Sequence, residues 1–153
     1  MKIVLLAVGR LKNAALRDVC ADYLARLQRY GPAEVKEVKA AESAAPAQAS
    51  AEECRRLAEA LTPSDQVLVL DERGSQMTSP ELANFIEQGE LRGVKRLALV
   101  LGGAYGLTDE LRKRGKMLSL SKMTLPHELC RAVTLEQLYR ARTIQRGEPY
   151  HHA

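Results

Sequence analysis

The sequence predicts an α/β protein, a mostly parallel sheet with helices on both of its faces, and three observations predict it. Residues 4–8, 67–70 and 97–101 are unbroken apolar runs, as strands buried on both faces are. The segments between them carry apolar residues at helical spacing. Gly, Pro, Asp or Ser bounds each run, so strand and helix alternate with turns between them.

The opening residues, Met1 to Val8, form a buried first strand and are too short for a signal peptide or a membrane span. Leu16, Val19, Cys20, Tyr23, Leu24 and Leu27 then make one helical stripe. Residues 40–50, Ala-rich with one Pro and two Ser, read as a loop too short to separate two domains. Ser50 and Glu53 have capping-box spacing and predict the start of a second helix, with Cys54, Leu57, Ala58 and Leu61 as its stripe. Ser79 and Pro80 open a third helix, in which Leu82, Phe85 and Ile86 are apolar. Thr108, followed by Asp109 and Glu110, opens a fourth. A long fifth helix enters at Pro126, with Thr124 as its expected N-cap, and runs through Tyr139 or beyond.

At 153 residues, 46% hydrophobic and 27% charged, the chain has the size and composition of one globular domain spanning residues 1–153. Cys20, Cys54 and Cys130 are odd in number and lie on apolar helix faces, so they read as buried hydrophobes in a reducing cytoplasm. Residues 1–107 carry 14 basic and 14 acidic side chains, whereas residues 108–153 carry 9 and 5. The whole positive excess therefore sits in the last third, which suits an anionic partner there and equally suits solvated helix faces.

In an open parallel sheet, ligands bind beyond the carboxyl ends of the strands. Three stretches qualify: Leu70-Asp71-Glu72-Arg73-Gly74, Gly102-Gly103-Ala104-Tyr105-Gly106, and residues 119–127. The glycines do not make a dinucleotide fingerprint, because their order is G-G-x-x-G and they follow a late strand. They imply a sharp turn lying close to a ligand or to another segment of chain. No G-x-x-x-x-G-K-S/T phosphate loop is present. His127, alone in the first turn of the last helix, reads as a structural residue before a catalyst. Glu136 and Arg140, four apart, share a helix face, and the chain ends Pro149-Tyr150-His151-His152-Ala153, in which the histidines have no metal-ligand spacing.

Four blocks, Leu101 to Gly106, Leu118 to His127, Leu135 to Ala141 and Pro149 to His151, resemble in order and separation the RlmH family of the SPOUT methyltransferase superfamily. The resemblance departs at Thr134, where an aliphatic residue is usual, and at His152 and Ala153, where a basic end is usual. It implies a C-terminal trefoil knot, where general topology rules alone predict an unknotted doubly wound sheet. It also implies a homodimer with its cofactor site in the knot, and S-adenosylmethionine-dependent N3-methylation of a pseudouridine in 23S ribosomal RNA within the assembled ribosome. No metal and no membrane enter. Carried onto this chain, the cofactor site is Leu70, Gly102, Gly103, Ser121, Lys122, Met123, Thr124, Leu125 and Pro126. Arg140 and His151 are expected at the RNA base, with Tyr150 and Glu136 beside them; deleting the tail is expected to cost little stability. The rival readings are a nucleotide-binding enzyme of doubly wound class and a ribosome-binding factor without catalysis.

Overall fold

The computed structural model describes residues 1–43 and 45–152. Five strands form one sheet in the order β2-β1-β4-β3-β5: β1 Lys2–Val8, β2 Ala33–Val38, β3 Gln66–Ser75, β4 Arg96–Leu101 and β5 Lys116–Leu118. Every pairing is parallel. Helices α1 Ala14–Gln28, α3 Ser79–Leu91 and α5 His127–Gln145 cover one face, and α2 Pro46–Glu59 and α4 Asp109–Arg112 cover the other.

The unbroken apolar runs follow from that arrangement. Along β1, Ile3 and Leu5 join the core under α1, α3 and α5, while Val4, Leu6 and Val8 join the core under α2 and α4. A strand covered on both faces has no side on which to place polar residues. Each leucine or valine so buried stabilises the fold by roughly 1.5–3 kcal/mol, which makes β1, β3 and β4 the frame on which the loops are held.

Helix starts differ in part from the sequence reading. Thr108 caps α4 as expected, its side chain accepting from the Leu111 N–H. The cap of α3 is Thr78, one residue earlier than expected, in a complete capping box with Glu81. Asn13, not foreseen, caps α1. Ser50 and Glu53 do not cap α2, whose N-cap is Ala45, five residues earlier, with Pro46 in the first turn, where a missing N–H costs nothing. Both are buried inside the helix, so residues 46–50 are helical rather than loop; Ala44, in the same stretch, lies outside the described residues. Thr124 does not cap α5 either, since Pro126 holds the cap position without a side-chain bond and the Thr124 hydroxyl is engaged elsewhere.

Two strands carry little sequence signal. β2 is an edge strand whose Glu34, Lys36 and Glu37 are exposed, and β5 has three residues. The end of β3 bends across β5: Ser119 N–H donates to the Ser75 carbonyl at 2.9 Å. A Cβ on Gly74 would stand 2.6 Å from the Met117 carbonyl carbon, so only glycine permits the crossing. The chain then turns at residues 119–126 and returns as α5 between α1 and α3.

Candidate functional site

Because β3, β4 and β5 are parallel, their carboxyl ends lie on one side of the sheet. The chain leaving each of them lines a single cavity of about 670 Å³, a size that encloses a nucleoside-bearing ligand. Leu101, Leu107 and Leu118 give it apolar walls, and Asp71, Glu72 and the backbone of the glycine turn give it polar ones.

The glycine turn is closed by the Gly106 N–H on the Gly103 carbonyl at 3.1 Å, with Gly106 at φ 74°, a conformation that glycine adopts without strain. The other two glycines are closely backed from behind. A Cβ on Gly102 would meet Leu107 Cδ2 at 2.8 Å, and one on Gly103 would meet Glu53 Oε1 at 2.9 Å. A side chain at Gly103 would thus press on Glu53 of the helix beneath. That helix, α2, braces the turn, as Ser50 Oγ donates to the Gly106 carbonyl at 3.3 Å and Cys54 Sγ accepts the Thr108 N–H at 3.3 Å.

The third stretch is held by its hydroxyls. Ser119 Oγ donates to the Ser121 carbonyl at 2.8 Å, and Ser121 Oγ accepts the Met123 N–H at 3.0 Å, which makes a tight turn. Thr124 Oγ1 donates to Glu72 Oε2 at 3.0 Å and ties this stretch to the end of β3. Leu70, Gly102, Gly103, Ser121, Met123, Thr124, Leu125 and Pro126 all line the cavity. Lys122 does not; it stands exposed at the tip of the Ser121 turn.

Residues missed by the sequence reading complete the wall. Arg112 Nε donates to Asp71 Oδ2 at 2.6 Å; burial opposes its charge, but bonds to Asp71 and Asp109 raise its pKa above the ordinary arginine value. Asp71 and Glu72 sat in a stretch singled out by its place after a strand, whereas nothing in the spacing marked Arg112. His127 and Cys130, three apart on the first turn of α5, both face the cavity, and burial pushes the Cys130 thiol up, so it stays protonated.

The four residues expected at the RNA base also come together, but elsewhere. Glu136 is their hub. Its Oε1 accepts from Arg140 Nε at 3.0 Å and from the Tyr150 hydroxyl at 3.0 Å, and its Oε2 accepts from Gln137 at 2.7 Å. Those bonds to Glu136 raise the pKa of Arg140 and fix its guanidinium, which lies 4.7 Å from the centre of the Tyr150 ring. Arg140 Nη1 donates to His151 Nδ1 at 3.3 Å, an arrangement that puts the imidazole hydrogen on Nε2. Tyr150 packs edge-on against Tyr139 at 4.6 Å, and burial, then its bonds to Tyr23 and Glu136, push its hydroxyl pKa well above the ordinary value. The tail is therefore packed through Tyr150 and His151, which corrects the expectation that its loss costs little stability; Ala153 lies outside the described residues.

The cluster and the cavity lie toward opposite ends of α5. Ten residues separate Cys130, the last to line the cavity, from Arg140, or about 15 Å at the helical rise. None of Glu136, Arg140, Tyr150 or His151 lines the cavity of its own chain.

Among known proteins, a family model described as predicted SPOUT methyltransferase matches residues 1–151. A protein of Pelobacter propionicus named ribosomal RNA large subunit methyltransferase H is 44% identical over 152 residues, 99% of this chain and all of that one. One of the same name from Desulfovibrio desulfuricans is 48% identical over 149 residues, 96% of this chain and 95% of that one. A crystal structure of a probable methyltransferase from Bordetella pertussis superposes with a TM-score of 0.58 at 16% identity, covering 92% of this chain and 96% of that one, a likeness of fold.

Proposed function

Because the chain belongs to the SPOUT methyltransferase family, we propose that it transfers a methyl group from S-adenosylmethionine to N3 of a pseudouridine in 23S ribosomal RNA, in the cytoplasm, on the assembled ribosome. The observation that carries the reading is the cavity at the strand ends, in a chain whose full-length relatives are named ribosomal RNA methyltransferases. Its make-up suits the cofactor. Leucine walls accept an adenine, the backbone of residues 102–106 and 119–125 offers donors and acceptors, and the Glu72 carboxylate suits a ligand that carries an ammonium and a sulfonium.

When bound, S-adenosylmethionine supplies a methyl group on a cationic sulfur that is already a good leaving group. The protein's work is then to hold donor and nucleophile in line and to favour the nucleophile's reactive form. The imide nitrogen N3 must give up its proton, which leaves to water, before its lone pair can attack. The Arg140 guanidinium and the His151 Nε2–H are donors suited to the negative charge that then spreads over the imide carbonyls. Glu136, fully engaged by its partners, positions Arg140 and Tyr150 rather than acting as the base.

The distance along α5 supports a homodimer in which this cluster on one protomer meets the cavity of its partner. Val19 of α1 and Leu129 of α5, 40% and 37% exposed, offer apolar surface on the two helices suited to that contact. The family's knot in the C-terminal part of the chain is part of the same reading. The test is incubation with labelled S-adenosylmethionine and either whole ribosomes or naked RNA, with mass-spectrometric mapping of the product. Label at N3 of a single pseudouridine in ribosomes is expected, and no transfer to either substrate would overturn the reading.

A further inference from the structure

A second cavity, of about 500 Å³, opens where β1 ends, between α1 and the edge strand β2. Leu24 and Val35 contribute apolar surface to it, and four charged residues line it: Arg10, Arg17, Glu37 and Arg131.

The arginines are not equivalent. Arg131 is 2% exposed and committed to the fold: Nη1 pairs with Glu37 at 2.5 Å and Nη2 donates to the Gly9 carbonyl at 3.0 Å. The Glu37 carboxylate is thereby answered. Arg17 has one bond, Nη2 to the Leu11 carbonyl at 3.2 Å, and Arg10 has no hydrogen bond; neither forms an ion pair among the described residues. Two guanidiniums thus line a partly apolar cavity with no ion-pair partner among the described residues.

The place is as telling as the charge. His127 lines the first cavity and Arg131 the second, one turn apart on α5. Between them, Glu128 Oε1 accepts the backbone N–H groups of Lys12 at 2.5 Å and Asn13 at 3.3 Å. The loop that carries Arg10 is thus clamped to the helix that borders both cavities.

We propose that this second cavity is an RNA-docking subsite, in which Arg10 and Arg17 clasp the phosphodiester of a nucleotide flanking the target and the apolar surface takes the face of its base or ribose. The inference rests on the reading of the chain as an RNA methyltransferase. It adds a binding site built on two arginines outside the basic segment 108–153, within residues 1–107, where basic and acidic residues balance at 14 each.

The test compares Arg10→Ala/Arg17→Ala with the unaltered protein, reading binding of ribosomal large subunits separately from methyl transfer. The double variant is expected to raise KM for the subunits by about tenfold, leaving kcat within about twofold and S-adenosylmethionine affinity unchanged. Its plot of log affinity against log salt should be shallower by about one to two, the loss of one or two phosphate contacts, and Arg10→Lys/Arg17→Lys should restore most of that slope. A KM within about twofold of the unaltered protein from about 50 to 200 mM salt would overturn the proposal, as would an unchanged salt slope. Affinity lost for subunits but kept for the naked stem-loop would assign the groove to a ribosomal protein and also overturn it. If the unaltered protein binds subunits yet transfers no methyl group, the functional reading fails, while the binding comparison still decides the subsite.

Discussion

The two ends of α5 are built on different principles. At its start, the cavity is framed by backbone turns held by Gly106, Ser121 and the bracing helix α2. Near its end, the cluster is a side-chain construction, with Glu136 linking Arg140 and Tyr150 and Arg140 in turn holding His151. The first should therefore be sensitive to added volume and indifferent to many polar exchanges. The second should be sensitive to lost functional groups and indifferent to cofactor binding.

The sharpest way to break that contrast is to delete residues 150–153. Methylation of ribosomes should fall by at least about a hundredfold, the lower end for a positioned proton-transfer or charge-stabilising group, while S-adenosylmethionine affinity by calorimetry stays near normal. The packing of Tyr150 on Tyr139 and under Arg140 adds a stability cost of about 1–2 kcal/mol, read as a lower melting temperature. Full methylation by the truncated protein would leave Arg140 without a tail to act with.

A smaller effect probes the other end. Gly103→Ala places a methyl group 2.9 Å from Glu53 Oε1, so the buried Glu53 or the turn must shift, and cofactor affinity should fall by about tenfold, roughly 1.4 kcal/mol. Adding Glu53→Ala removes the obstacle and should return much of the affinity. Without recovery, the constraint on Gly103 comes from the ligand side, one of the two readings that the sequence left open. Thr124→Val, which loses the bond to Glu72, should weaken cofactor binding only severalfold, about 1 kcal/mol.

The smallest effect is a pH dependence confined to the cluster's edge. Burial, and then its bond to Glu148, push the Tyr30 hydroxyl pKa up to about 12 from an ordinary 10.0. A raised pKa favours the protonated native form, so this contribution is complete below pH 10 and is lost as pH rises toward 12. Tyr30→Phe should flatten that part of the melting-temperature profile and leave methylation at neutral pH unchanged.

What could be read from the chain follows from how each part is held. β1, β3 and β4 were legible because burial on both faces leaves only apolar residues, whereas β2 hides its strand under solvent-facing Glu34, Lys36 and Glu37. Ser50 and Glu53 have the spacing of a cap, yet Pro46 starts the helix earlier and leaves them buried against the glycine turn. The glycines were legible as a turn, but not what stands behind them, because Glu53 comes from a distant segment. Lys122 shares a stretch with cavity residues and points away, since one hydroxyl bond at Ser121 decides the turn. The separation of cluster and cavity, by contrast, follows from helical rise alone once both are placed on α5.

That separation is the claim on which the account turns, and a heterodimer tests it most directly. One protomer carries Arg140→Ala and the other Gly103→Val, each with a different tag, and the mixed dimer is purified through both. Each homodimer should be inactive, one for lack of the cluster and the other for lack of the cofactor. The heterodimer pairs the intact cavity of the first with the intact cluster of the second, and should methylate ribosomes at about half the unaltered rate, one working site of the two that a twofold dimer offers. An inactive heterodimer, with normal cofactor binding in its Arg140→Ala protomer, would contradict the account and require both parts of the site to come from one chain.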